Sequence, residues 1–481
     1  MRAVDGLTRL DAWDGVRALV AGFGVSGFAA ADALVQMGAR VTVVEDRDDE
    51  ALREKATVLG ILGADVRLGA GATAHPPDDV DVVVTSPGWN PRTPLLAEAA
   101  RRGTPIWGEV ELAWRLRAPG AAPWLCLTGT NGKTTTVQML DAILRADGRR
   151  CAAVGNVGTP VIEAVMHPEP FDVLAVELSS FQLHWTTSLS ARAAAVLNIA
   201  PDHASWYAGD DAAYVLDKGR VYQHAQVACV YNVSDPRTEE LVRAADVVEG
   251  CRAIGFTLGM PAIGMVGIVD DLIADRAFVD DRATSAAELA SVSDVHPAAP
   301  HNVANALAAA SLARAHGVAP RAVRDGLRGF RLDAHRIAEV ATLGGVRYVD
   351  DSKATNPAAA QASLLAYEPV VWIAGGLAKG ASFDQLVAQV RGRLRAVVLL
   401  GQDRAVIAQA LARHAPDVPV IEVPDGEDEP MDRVVDAATE SARPGDTVLL
   451  APGCASQDMF TDYGARGDAF AAAVLRRRGQ T

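Results

Sequence analysis

The sequence predicts an α/β enzyme built from three consecutive domains on mostly parallel sheets. Three observations carry that expectation. At 481 residues the chain is longer than one hydrophobic core organises. Its composition, 49% hydrophobic but only 5% aromatic, fits an alanine- and valine-rich α/β protein. A pattern of apolar strand, glycine turn and helix also occurs three times along the chain.

The first unit is "VRALVAGFGVSGFAAADALVQMGARVTVVEDR", a strand, a turn through Gly22, Gly24 and Gly27, an alanine-rich helix and a second strand. A further strand in "DVDVVVTSPG" stops at a Ser-Pro-Gly turn, and the proline- and glycine-rich "RLRAPGAAP" marks a joint. The pattern restarts with the strand "WLCLTG", followed by a helix from Thr134 and the strands "DVLAVELSS" and "AAAVLNIAPDH". After the helix "HNVANALAAASLARAHG" it restarts again with "VRYVDDS", "VVWIAGG", "AVVLLG" and "DTVLLAPG". Residues 1–118, 119–328 and 329–481 are therefore the expected domains. Functional groups are expected at the carboxyl ends of the parallel strands.

A formal charge of −15 argues against a nucleic-acid footprint, so anionic ligands must be held by local donors. Five scattered cysteines without a CxxC pair fit reduced thiols and a cytoplasmic location. The N-terminus has no continuous apolar stretch of the secretory kind, and no segment is apolar for long enough to span a membrane.

The most informative stretch is "GTNGKTTT", Gly129 to Thr136. It nearly matches a phosphate-binding loop, except that Leu127 stands where the usual first glycine would be. Backbone N–H groups that feed a helix N-terminus lack intrahelical partners and face positive dipole potential, which makes a concave anion site. Gly129, Thr130, Asn131, Gly132, Lys133, Thr134 and Thr135 are the candidate ATP contacts, with Lys133 on the outer phosphates and Thr134 on Mg²⁺. Glu177, ending a strand in the same domain, is the candidate metal carboxylate.

"GFGVSG" satisfies a dinucleotide fingerprint, with Glu45 and Asp46 about 20 residues on, where a ribose-binding acid sits. Alone it fits an NAD(P)-dependent dehydrogenase, a nucleotide-sugar site or a purely structural tight turn. A nucleotide-binding scaffold without turnover also stays open at this point.

With GTNGKTTT, ELSSFQL, PDH, a downstream lysine, HNVANALAA, DSKATN and CAS in this order, the chain resembles the Mur ligases of bacterial cell-wall synthesis, and within them the D-glutamate-adding branch. In that family the loop is normally GTNGK[ST]T, so Leu127 is no defect. The resemblance implies a Rossmann-like N-terminal domain, a central P-loop ATPase-like domain and a Rossmann-like C-terminal domain. It implies transfer of ATP's γ-phosphoryl group to the carboxylate of UDP-N-acetylmuramoyl-L-alanine, then attack by the amine of D-glutamate, in a protein expected to be a monomer.

Residue by residue, the resemblance implies that Thr134 and Glu177 hold one Mg²⁺. His203 and a carbamylated Lys218 hold a second, and Asn305 meets adenine. Gly24, Ser26, Glu45, Asp46, Ser86 and Gly88 of the first domain, with Asn156, Thr159, Ser179 and Gln182, face the UDP-linked substrate. Arg336 and Asp351 meet the phosphate and ribose of ATP, while Lys353, Thr355, Lys379, Ser456 and Tyr463 receive D-glutamate. Cations and hydroxyls are what a dicarboxylate requires. Isolated lysines are ordinarily solvated charges, and strand-end placement singles these out. If ATP lies between the middle and last domains, hinge motion is expected around 325–335. The chain departs from the family at "HASWYAGDD", where many relatives follow the histidine with Leu/Met-Asp, and at "APHN", which lacks the usual glycine.

Overall fold

The computed structural model describes residues 4–331, 334–424 and 430–478. Leu332 and Asp333 of the "LDAHR" hinge stretch lie outside the described residues. The chain packs as two compact units, Met1–Ala298 with Asn302–Phe330, and Ala299–His301 with Arg331–Thr481.

Three sheets organise these units. The first has the strand order Asp65–Leu68, Arg40–Glu45, Arg17–Ala21, Val82–Thr85, Ile106–Gly108, parallel throughout. Its order reverses between Arg17–Ala21 and Val82–Thr85, so the glycine turn and the Ser-Pro-Gly turn open at the same crevice. Val82–Thr85 is buried at every position, as befits a central strand covered by helices on both faces.

The second sheet has nine strands. Trp124–Thr128 lies between Val173–Glu177 and Ala193–Val196, and antiparallel pairings join Met265–Val269, Leu272–Asp275 and Ala287–Ser291 at one edge. Three loops therefore leave the same edge of the sheet side by side: 129–132, 178–179 and 197–210.

In the second unit Thr447–Leu450 lies between Val346–Asp350 and Val370–Gly375 in a six-stranded sheet. That arrangement gathers the segments 351–356, 376–382 and 451–456. Each core is a run of Val, Leu, Ile and Ala from these strands and their covering helices. Among the described residues no helix is long and apolar enough to cross a membrane, and all five cysteines are free thiols.

Candidate active site

The strand Trp124–Thr128 hands directly into the GTNGKT loop, and the helix Lys133–Ala146 begins at its end. Gly132 is the helix cap at φ +82°, and a Cβ there would lie 2.4 Å from Asn305 Oδ1. Only glycine satisfies both conditions without strain. Asn305, on the helix Pro300–Ala315, thus packs against the loop.

Other loop groups are held by Asn198, by Tyr214 and by the loop itself. Thr130 N donates to Asn198 O and Asn131 N to Asn198 Oδ1, both at 2.9 Å, while Asn198 Nδ2 returns a bond to Asn131 O at 3.0 Å. The Thr130 hydroxyl shares a 2.8 Å hydrogen bond with the Tyr214 hydroxyl. Lys133 Nζ folds back onto Gly129 O and Thr130 O, each at 2.9 Å. Thr134 is half-buried at the mouth of the helix and Thr135 is buried behind it.

Glu177 ends its strand almost fully buried. Its Oε1 accepts from Asn156 Nδ2 at 2.8 Å, whereas Oε2 is buried with no hydrogen-bond partner. A carboxylate oxygen in that condition costs free energy unless a cation or donor arrives. Across the loop, Lys218 is fully enclosed and Nζ donates to Gly129 O at 2.8 Å. Burial, reinforced by the neighbouring Lys133 ammonium, pushes its pKa well below the usual lysine range, with Asp202 and Glu177 opposing more weakly.

His203 sits at the end of the "NIAPDH" segment in a left-handed backbone conformation, φ 54°. Its ring contacts Phe181 at 4.5 Å between centroids, and its backbone N–H donates to Asp202 Oδ1 at 2.8 Å. The expected metal set of Thr134, Glu177, His203 and Lys218 comprises one hydroxyl, one carboxylate, one imidazole and one amine. Among the described residues no group of three or more His, Cys, Asp or Glu side chains is assembled. Such a sparse set suits Mg²⁺, which keeps water and takes phosphate oxygens beside one or two carboxylates. The unpartnered Glu177 oxygen is the observation that fits it.

In the first domain a Cβ on Gly27 would lie 2.0 Å from Gly22 O, so the helix Val25–Gln36 approaches the turn as the fingerprint requires. Gly24 caps that helix and Ser26 lies in its first turn. Ser86 Oγ is buried without a partner, and exposed Gly88 accepts from Trp206 Nε1 at 3.3 Å.

The acids depart from a nicotinamide site. Glu45 accepts from Phe23 N at 3.1 Å and pairs with Arg47 at 3.2 Å, while Asp46 accepts from Thr73 N at 3.1 Å. Glu45 thus braces the glycine loop itself. Ser179 and Gln182 form a reciprocal cap on the helix Ser180–His184, with Gln182 Oε1 accepting from Ser179 N at 2.9 Å. In "GNVGTP", Asn156 N donates to Glu177 O at 2.9 Å and Gly155 N to Thr159 O at 3.0 Å, leaving the Asn156 and Thr159 residues exposed.

In the second unit Asp351 is buried, accepts from the Ser363 hydroxyl, and is pushed up to about 6 by burial, with Arg336 a weaker opposing charge. Lys353 Nζ lies 3.9 Å from the centre of the Tyr463 ring. Thr355 N donates to Lys353 O at 2.8 Å, which tightens the "DSKATN" turn. Lys379 is exposed at φ 50°, and Ser456 Oγ is buried with no partner.

Sequence reasoning missed three positioning groups. Asn198 clamps the phosphate loop, Asp217 gathers the segments around Lys218, and Arg466 holds two C-terminal loops. Arg466 is buried, donating to Ser352 Oγ at 2.9 Å, Ser352 O at 2.8 Å and Cys454 O at 3.1 Å. Burial lowers its pKa to about 10. None occupies a local motif. For Asn198 the available signal was a polar residue inside the otherwise apolar run "AAAVLNIA".

Comparison with known proteins agrees with this geometry. The Mur ligase middle domain matches residues 127–313, and the Mur ligase, glutamate ligase domain matches 335–454. The UDP-N-acetylmuramoylalanine--D-glutamate ligase of Streptomyces avermitilis is 62% identical, over 96% of this chain and 98% of the relative. That of Streptomyces coelicolor is 61% identical over 96% and 98%. The solved pseudomurein peptide ligase type C of Methanothermus fervidus shares the fold, with a TM-score of 0.57 at 17% identity over 96% of this chain and 100% of that one. These relatives lend no support to a dehydrogenase, and Glu45 is turned inward onto its own loop. The chain belongs to the Mur ligase family.

Proposed function

We propose that the chain is an ATP-dependent ligase that adds D-glutamate to UDP-N-acetylmuramoyl-L-alanine through an acyl phosphate, a step in peptidoglycan precursor synthesis. The observation that carries this reading is the phosphate loop flanked by an unpartnered Glu177 oxygen and a buried, deprotonation-prone Lys218. Residues 1–118 take the UDP-linked substrate, 119–328 the ATP, and 329–481 the amino acid. The protein works as a cytoplasmic monomer.

Lys133 leaves its own loop carbonyls to meet the outer phosphates of ATP, while first-turn N–H groups and the helix dipole receive the others. Asn305 lies against Gly132 on the adenine side. Mg²⁺, held by Thr134, Glu177, His203 and the Lys218 carbamate, would supply charge neutralisation between the substrate carboxylate and the triphosphate. The low pKa of Lys218 keeps a neutral amine, which adds to CO₂ with loss of one proton to give that carbamate.

The substrate carboxylate displaces ADP from the γ-phosphorus, converting a poor electrophile into an acyl phosphate. D-Glutamate's amine then attacks the acyl carbon, phosphate leaves, and the amine gives up a proton. Lys353, Thr355, Lys379, Ser456 and Tyr463 hold the dicarboxylate, and the unpartnered Ser456 hydroxyl is suited to accept or donate to it. Arg336 and Asp351 meet the ATP phosphate and ribose. In the first domain Gly24, Ser26, Ser86 and Gly88 cradle the diphosphate and uridine, with Asn156, Thr159, Ser179 and Gln182 towards the reacting end.

Phosphate release from ATP with UDP-N-acetylmuramoyl-L-alanine, comparing D-glutamate, L-glutamate, L-alanine and meso-diaminopimelate, tests the reading. Release and a new amide with D-glutamate alone is the expected result. Release with none of the four, or preference for another amino acid, overturns it.

A further inference from the structure

Asp217 precedes Lys218 on the helix Asp211–Gly219 and is nearly as buried. Three groups from different segments converge on its carboxylate. His184 Nδ1 donates to Oδ2 at 2.8 Å, the Tyr207 hydroxyl donates to the same oxygen at 3.1 Å, and Arg220 pairs with Oδ1 at 3.0 Å. His184 closes the helix that begins at Ser179, and Tyr207 closes the turn that begins at His203. Within that turn the N–H groups of Trp206 and Tyr207 both donate to His203 O, at 3.0 and 3.2 Å.

The turn is also tied outward. Trp206 Nε1 reaches Gly88 O at 3.3 Å, and Asn90 Nδ2 and Arg92 Nη2 donate to Trp206 O at 2.6 and 3.0 Å. Aromatic packing fills the interior, with Phe181 lying 4.5 Å from His203 and 4.8 Å from Trp206, and Tyr207 lying 5.4 Å from Tyr214. Asp202, just before the turn and partly exposed, accepts from the His203 N–H at 2.8 Å. Asp210 is used as a helix cap, accepting from Ala213 N at 3.0 Å, and Asp211 begins the helix. The buried carboxylate that fixes the turn therefore arrives from one residue before Lys218.

We propose that Asp217 is a positioning residue that holds His203, through Tyr207, in register with Lys218; the inference rests on the ligase reading above. It acts through its protein partners His184, Tyr207 and Arg220. Its helix places Lys218, its hydrogen bond to Tyr207 places the turn that presents His203, and its bond to His184 ties both to the Ser179 helix. A left-handed residue such as His203 keeps its conformation only where neighbours over-determine it, and Asp217 is the anchor of those neighbours.

The test compares wild type, Asp217→Ala, Asp217→Glu and Tyr207→Phe. MgATP binding is followed by calorimetry as Mg²⁺ is varied, beside phosphate release and melting temperature. Loss of a supporting partner typically weakens a metal by about 10-fold or more. Asp217→Ala is expected to raise the Mg²⁺ needed for half-maximal MgATP binding by about that factor, with KM for D-glutamate unchanged. Tyr207→Phe, which removes one hydroxyl, shifts it in the same direction by less, and Asp217→Glu recovers part of the loss.

Folded Asp217→Ala protein with wild-type Mg²⁺ dependence overturns the proposal, because a merely structural role lowers the melting temperature without moving that midpoint. Should Asp217→Ala not fold, Tyr207→Phe decides by the same criterion. Wild type that binds MgATP yet forms no amide counts against the proposed function and leaves this binding comparison intact.

Discussion

Lys218 Nζ and Lys133 Nζ donate to the same acceptor, the carbonyl of Gly129, at 2.8 and 2.9 Å. Two ammonium groups on one oxygen, one of them buried, cannot both be comfortable. Lys218 is the one whose pKa is driven well down, by burial first and by Lys133 second. In the pH window between that lowered value and the unfolded lysine value near 10.4, the unfolded chain binds more protons, so stability rises with pH there. In CO₂-depleted buffer, Lys218→Met removes the burial penalty and flattens this slope. The expected outcome is an unchanged or higher melting temperature at pH 7, with ligation lost. A melting temperature that drops sharply at pH 7 would contradict it.

Lys133→Ala separates binding charge from structure. Its ammonium is half-buried and donates to the carbonyls of Gly129 and Thr130 in its own loop, and the variant is expected to fold. Loss of one preorganised donor aimed at developing negative charge typically costs about 10²- to 10³-fold in kcat, and a loss of that order is expected here. Phosphate release by the folded variant measures this. A variant within a few-fold of wild type would show that Lys133 does not meet the transferred phosphate.

Gly132→Ala meets two obstacles at once, a left-handed backbone at φ +82° and a Cβ position 2.4 Å from Asn305 Oδ1. The backbone term alone costs about 1–2 kcal/mol, and the clash pushes Asn305 away from the loop. The expected result is a lower melting temperature with a raised KM for ATP. Gly132→Ala combined with Asn305→Ala should recover stability in part but not ATP affinity, since Asn305 is itself proposed to meet adenine.

The contrast between Gly132 and Asn198 shows what a sequence makes legible. Gly132 belongs to a contiguous motif whose spacing is fixed by one strand and one helix, so the loop, its lysine and its threonine could be read directly. Glu177 was legible as the polar ending of an apolar strand, and His203 as a polar group in the loop that follows one. Asn198 holds the loop from the segment that follows the strand Ala193–Val196, 67 residues from Asn131, and Arg466 reaches back 114 residues to Ser352. Those pairings depend on strand order, which local periodicity does not encode. Glu45 shows the opposite failure. Its spacing suggested a ribose ligand, whereas its carboxylate is spent on the loop's own Phe23 N–H and on Arg47.

Arg466 gives a stability prediction in the second unit. Its guanidinium satisfies Ser352 O and Cys454 O, carbonyls of the two segments that carry Lys353 and Ser456. Arg466→Met removes a buried cation but leaves those carbonyls without donors, at about 1–3 kcal/mol each in the worst case. Lower resistance to urea and a raised KM for D-glutamate, with KM for ATP less affected, are the expected results. Unchanged D-glutamate affinity would separate Arg466 from the amino-acid site.

Glu109 supplies the pH test with the opposite sign. Its carboxyl is wholly buried, and burial pushes its pKa up to about 7, with Glu163 adding repulsion and the Ile162 N–H, at 2.6 Å, partly opposing. Between the unfolded value near 4.5 and that folded value the native state binds more protons, so stability falls as pH rises through the window and the cost is complete above pH 7. Glu109→Gln keeps an oxygen for Ile162 N–H and carries no charge. At pH 8 it should stabilise the protein by up to about 3 kcal/mol, while at pH 4.5 it should make little difference. Urea unfolding at the two pH values checks this. A gain of equal size at both would mean that packing, and not the buried charge, sets the cost at this position, and the native ionisation of Glu109 would then have to be assigned by direct titration.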